Sequence, residues 1–173
     1  MASRRKGRIL AFQALYSWDT FYSQTGNPSI PEGLLDFSWV EGDKSGDEPS
    51  EKPGAEPLGK PLDEEMTAFS RLLVTGTTEN IVSIDRMIEK HLENWELKRL
   101  NKVDLAVLRM SVYSLMFQTE IHPSIVIDEA VDIAKEFGAD DSYRFVNGVL
   151  DSVRKTIAQP ELKPEIKKTP VLK

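Results

Sequence analysis

Apolar residues recur at threes and fours along most of this chain, and no stretch alternates in the manner of a half-buried strand. Ile9, Leu10, Phe12, Leu15 and Tyr16 begin the pattern and predict a first helix. The pattern lapses between residues 24 and 61. There the stretch GDKSGDEPSEKPGAEPLGKP is rich in Gly, Pro, Ser and acid and can bury little apolar surface, so residues 41–61 read as a mobile acidic loop. Leu34, Leu35, Phe37, Trp39 and Val40, just before it, are apolar enough to pin one short helical turn to the body. From Leu62 the helical period returns. Asp63, Glu64 and Glu65 sit in a first turn, where the helix dipole favours them. Phe69, Leu72, Leu73, Ile81, Ile84, Met87, Ile88 and Leu92 then predict one long amphipathic helix, or two joined near Gly76. Trp95, Leu97 and Leu100 suit a tight connection.

The segment from Lys102 to Gln118 carries two apolar stripes, Val103, Val107, Met110 and Phe117 on one side and Leu105, Leu108, Val112 and Leu115 on the other. A helix apolar on both sides belongs at the centre of a fold, where Arg109 and Tyr113 need partners. HPSIVIDEAVDIAKEFG follows, with Pro123 suited to a first helical turn and Gly138 to the position just past a helix end. Asp140 or Asp141 then caps a last helix with Val146, Val149, Leu150, Val153 and Ile157 inward. Gly148 in mid-helix costs stability, which predicts close approach of another backbone. The chain therefore reads as all-α, a bundle of about six or seven helices in one domain over residues 1–157, with residues 158–173 a disordered tail rich in Pro and Lys.

Charge sharpens this picture at one end. The 173 residues carry a formal net charge of −6, yet Arg4, Arg5, Lys6 and Arg8 crowd into the start of the first helix with no carboxylate before Asp19. Cations at a helix N-terminus oppose the dipole by a few tenths of a kcal/mol each, and Gly7 among them costs roughly 1 more. Such a start either frays or has an anionic partner, and phosphate is the leading candidate. No residue is cysteine, which fits a reducing compartment and excludes disulfides and thiolate metal sites. No apolar run reaches the ~18 residues of a membrane span, and no signal-peptide core is present, so a cytoplasmic protein is expected.

Catalytic chemistry has no foothold. His91 and His122 are the two histidines, and neither has metal-ligand spacing with another. Neither a phosphate-cradling Gly-rich loop nor a nucleophile elbow occurs. No enzyme activity, cofactor or metal is expected.

RRKGRILAFQALYSWD near the start and AKEFGADDSYRFVNGVLD near the end strongly resemble the NusB family of bacterial transcription antitermination factors, and VDLAVLRMSVYSL fits the same family. The resemblance covers residues 4–22 and about 62–157; residues 24–61 depart from it, where the family has a shorter, helical connection. It implies two small helical subdomains packed together and a binding function. The protein would pair with NusE, also a small-subunit ribosomal protein. The pair would bind the boxA element of nascent RNA within an RNA polymerase antitermination complex that serves ribosomal RNA operons. Some family members self-associate, so the resemblance also admits a homodimer. No membrane is implied.

The resemblance maps an RNA surface onto Arg4, Arg5, Lys6, Arg8 and Gln13 at one end, and onto Asp141, Ser142, Tyr143, Arg144 and Phe145 at the other. Guanidinium groups grip phosphate or stack on unpaired bases, and Tyr143 or Phe145 can stack a base. Phe145 also has the spacing of a core residue, and Ser142 that of a capping residue. Asp141 is the odd member, a helix cap that repels phosphate; Asp141→Asn is expected to keep the cap and tighten RNA binding. Tyr16 and Asp104 are implied as the NusE surface, with the helix dipole an alternative role for Asp104. Two competing readings are a protein-interaction bundle without RNA binding and an isolated NusB-like domain of a ribosomal RNA methyltransferase.

Overall fold

The computed structural model describes residues 2–40 and 62–159. The segment expected to be an acidic loop, residues 41–61, and the tail from residue 160 lie outside the described residues. Six α-helices and three 3₁₀ turns form the described part, with no strand. The all-α bundle predicted from the periodicity is what is observed.

Helix α1 spans Ala2–Thr25. Leu10, Ala11, Ala14, Leu15 and Trp18 share one face and are buried. Gly26 ends the helix in the left-handed region, φ +66°, and its N–H returns to the Tyr22 carbonyl at 2.8 Å. The chain then folds back. Trp18 Nε1 donates to the Pro28 carbonyl at 3.3 Å, and two 3₁₀ turns, Leu34–Asp36 and Ser38–Val40, flank the fully buried Phe37.

Helix α2 (Glu64–Glu79) starts from Asp63, whose carboxylate accepts the Glu65 amide at 3.3 Å. Helix α3 (Ile81–Lys90) follows directly. The break comes at Asn80, four residues later than the expected Gly76. Gly76 stays inside α2 because Tyr113 presses on it: a Cβ there would overlap the Tyr113 ring. Helix α4 (Lys102–Phe117) is capped by Asn101, which accepts the Val103 amide at 2.9 Å. Every residue from Asp104 to Met116 is buried, as two apolar stripes require, and α4 packs against all five other helices. Helix α5 (Pro123–Phe137) begins at His122, whose Nδ1 accepts the Ser124 amide at 3.2 Å. Helix α6 (Ser142–Ala158) reaches one residue into the expected tail.

One continuous apolar cluster takes residues from all six helices. Each fully buried Leu or Ile there contributes roughly 1.5–3 kcal/mol. Arg109 supplies the polar pin the sequence demanded. Its Nη1 donates to Asp19 at 2.6 Å, and its Nε and Nη2 donate to Asp85 at 2.9 and 3.0 Å. The guanidinium also lies over the Trp18 and Tyr22 rings. Burial opposes the Arg109 charge, but the Asp85 and Asp19 contacts outweigh it and raise the pKa.

Gly148 overturns an expectation. No backbone approaches it: the residue is exposed, and nothing lies within 4 Å of where a Cβ would stand. The close approaches fall instead at Gly7, Gly76 and Gly138.

Candidate nucleic-acid interface

The basic start of α1 is held down by α2. A Cβ on Gly7 would lie 2.8 Å from Phe69 Cδ1 and 3.3 Å from the Met66 carbonyl. The Ser70 hydroxyl sits 2.8 Å from the Gly7 carbonyl. This contact places the Phe69 ring beside two cations, with the Arg4 and Arg8 guanidinium carbons 5.2 and 5.3 Å from its centroid, within cation–π range. Arg8 is only 5% exposed. Burial lowers its pKa, the Glu129 carboxylate opposes that, and Arg4 adds to it; an arginine stays charged regardless. Glu129 Oε2 is itself buried without a hydrogen-bond partner. Arg5 is bound within the protein, to Asp132 at 3.0 Å and Glu136 at 3.5 Å. Arg4 and Lys6 are exposed.

Of the two alternatives expected for the start of α1, fraying or an anionic partner, fraying is not found. The helix is formed from Ala2. The dipole cost is offset locally, by an aromatic ring under Arg4 and Arg8 and by two carboxylates on Arg5.

The start of α6 is built differently. Asp141 occupies the N-cap position, but its side chain makes no capping bond; its backbone carbonyl accepts the Arg144 amide at 3.2 Å. The expected carboxylate cap is absent, and the polar contact in this turn comes from Ser142 instead. Ser142 Oγ accepts the Ala139 amide at 3.0 Å, and the residue is 5% exposed, which turns it away from any ligand. Tyr143 and Phe145 are half-buried against the core cluster. Arg144 is exposed, and its Nε donates to Tyr143 Oη at 3.0 Å; that bond, helped by Asp141, raises its pKa. Lys135 completes the group, its Nζ 5.1 Å from the Tyr143 ring centroid.

The last two turns of α5 separate the two clusters. Asp132 and Glu136 reach toward α1, and Lys135 reaches toward Tyr143. Phe137 meets Phe12 with ring centroids 5.0 Å apart, and Gln13, the next residue along α1, is half-buried. The sequence-predicted residues of both segments thus flank one helix. Tyr16 and Asp104 fall elsewhere. Tyr16 is 42% exposed on α1, whereas Asp104 is 7% exposed in the first turn of α4. An open acidic surface at Asp104 is not what the fold provides.

A family model, described as the NusB family, matches residues 5–155. The chain belongs to the NusB family. Transcription antitermination protein NusB from Treponema denticola is 47% identical over 151 residues, 87% of this chain and 95% of that relative. Its counterpart from Citrifermentans bemidjiense is 35% identical over 161 residues, 93% of this chain and all of that one, 100%. Among solved structures, T. maritima NusB superposes with a TM-score of 0.66 at 31% identity, covering 93% of each chain. A crystal structure of antitermination factors NusB and NusE in complex with dsRNA matches with a TM-score of 0.67 at 27% identity, covering 90% of this chain and 98% of that one. The NusB relatives are named as antitermination factors and not as enzymes. Among the described residues, no three metal-binding side chains gather, and no helix is long and apolar enough to cross a membrane.

Sequence reasoning missed Phe69 and Lys135, which organise the two clusters, and Asp132 and Glu136, which hold Arg5. Phe69 reads as one more core position on α2. Lys135, Asp132 and Glu136 read as the wet side of α5. Only the crossing of α1 over α2 and the turn into α6 give these residues their neighbours.

Proposed function

We propose that this NusB-family chain is a cytoplasmic antitermination factor that binds boxA RNA together with NusE. It would promote processive transcription of ribosomal RNA operons as part of an RNA polymerase antitermination complex. The observation that carries this reading is the pair of cation–aromatic clusters on either side of α5, Arg4–Phe69–Arg8 and Lys135–Tyr143–Arg144. Exposed guanidinium and ammonium groups neutralise phosphates, and a ring flanked by cations stacks an unpaired base, a contact worth about 1–3 kcal/mol. Arg4, Lys6, Arg144 and Lys135 are the exposed cations, and Arg5 joins once a phosphate displaces its carboxylates. Arg8 sits deeper and fixes the ring. Gln13 supplies a polar edge between the segments, and Phe145 is half-buried against the core cluster. Tyr16 is the accessible part of the surface for NusE. The acid on the outer face of α5 explains why a second, RNA-binding partner is useful to a chain of net charge −6.

The test is a titration of boxA-type RNA, a scrambled strand and a duplex of the same sequence, with and without NusE, over a range of salt. Four phosphate contacts to a single strand predict a slope of log K against log salt of about −3. The boxA strand should bind most tightly, and the duplex should compete only through its phosphates. A salt-independent response, or no preference for boxA in the presence of NusE, overturns the reading.

A further inference from the structure

Gly148 is the least explained residue of α6. A glycine in mid-helix costs stability relative to alanine. Packing within the chain gives no reason for it, since nothing lies within 4 Å of where its Cβ would stand. Its neighbours on the same face supply one. Arg144, Gly148, Ser152 and Lys155 follow one another at helical spacing and form one row, and all of them are exposed. Asn147, one turn after Tyr143, is exposed beside the row. The row runs from the Lys135–Tyr143–Arg144 cluster to Lys155, about 16 Å at the ~1.5 Å rise of each helical residue, and no bulky side chain stands between its ends.

Charge points the same way. Helix α6 has three cations, Arg144, Arg154 and Lys155, against one carboxylate, Asp151. That carboxylate is held by Arg154 at 2.7 Å and by Lys155 at 2.9 Å, so the outer face of α6 is net positive in a chain of net charge −6. Helix α5 has Lys135 against Asp128, Glu129, Asp132 and Glu136. A polyanion leaving Tyr143 is therefore favoured along α6, whereas a basic protein segment is favoured along α5. We propose that the bound RNA strand continues past Tyr143 along the outer face of α6. The missing side chain of Gly148 admits its backbone close to the helix, Asn147 offers amide hydrogens to a base edge or sugar hydroxyl, and Lys155 neutralises a phosphate at the far end. This rests on the reading that the start of α6 binds RNA, and it lengthens that site by about three helical turns. A side chain at position 148 would hold the strand off the helix and weaken every contact beyond it.

The experiment uses the full chain and two single strands, a boxA-type RNA of minimal length and the same RNA lengthened at both ends. Gly148→Ala, Gly148→Leu and Lys155→Gln are titrated with each strand, with and without NusE, and the Tm and NusE affinity of each variant are read beside them. The wild type should bind the longer strand several-fold more tightly. Gly148→Leu should remove that advantage and Gly148→Ala should reduce it, while both raise the Tm, an opposition that a purely structural role for Gly148 would not produce. Lys155→Gln should lower the salt slope for the longer strand by about 0.7 and leave that for the shorter one unchanged. A Gly148→Leu variant that binds both strands as the wild type does overturns the inference, as does a wild type that binds both strands alike. A fall in NusE affinity with RNA binding intact would assign the row to a protein and overturns it too. A wild type that binds neither strand, with or without NusE, overturns the proposed function, and this extension with it.

Discussion

The starts of α1 and α6 both present cations beside an aromatic ring, yet they are built in opposite ways. At α1 the cations are part of the packing. Gly7 lets the helix sit on α2, Arg8 is buried, and Arg5 is held by two carboxylates. At α6 the cations are outside the packing. Arg144 and Lys135 touch Tyr143 from the solvent side, and the N-cap carboxylate is unused. A change at the first cluster therefore alters stability and binding together, whereas a change at the second separates them.

Four substitutions test that contrast. Gly7→Ala should have the largest effect: the new methyl meets Phe69 and the Met66 carbonyl, and overpacking of this kind costs about 1–3 kcal/mol. Thermal unfolding should shift down, and RNA affinity should fall with it because the ring under Arg4 moves. Gly148→Ala should move stability the other way. The open site accepts a methyl freely, and the helix gains roughly 0.5–1 kcal/mol, visible as a higher Tm; a loss of stability there would mean the face is occupied. Arg144→Ala should leave the Tm where it is while lowering the salt slope of RNA binding by about 0.7. Were its Tm to fall clearly, the second cluster would be structural after all. Asp132→Asn is the subtlest. Half-exposed ion pairs are worth about 0.2–1 kcal/mol, so stability should drop by no more than that, and RNA should bind somewhat more tightly as Arg5 is released. Weaker RNA binding would show that Asp132 orients Arg5 for RNA and does not compete with it.

The helices were legible because their signal is local. The 3.6-residue period, the acidic start at Asp63 and the first-turn Pro123 lie within their own segments, so element type and order could be read off. The glycines were not. Gly148 and Gly76 look alike in sequence, and what separates them is a tyrosine ring on α4. The site divides the same way. Four cations ahead of the first carboxylate announce a binding end, but that Arg8 is buried and Asp104 turned inward depends on how helices cross. Asp141 shows the limit at short range, since a good capping residue in the right place left its side chain idle while Ser142 took the amide.

The Arg109 pin draws on three stretches of chain, at Asp19, Asp85 and Arg109, and α4 is the last of them to be synthesised. Until it is made, the two aspartates belong to helices that have no cation to receive them. Leaving one member of a buried pair alone costs about 3–5 kcal/mol, a large part of the 5–15 kcal/mol that holds a typical domain together. The polypeptide up to residue 95 should therefore stay unfinished on the ribosome, and the basic helix that emerges first should be among the last to become fixed.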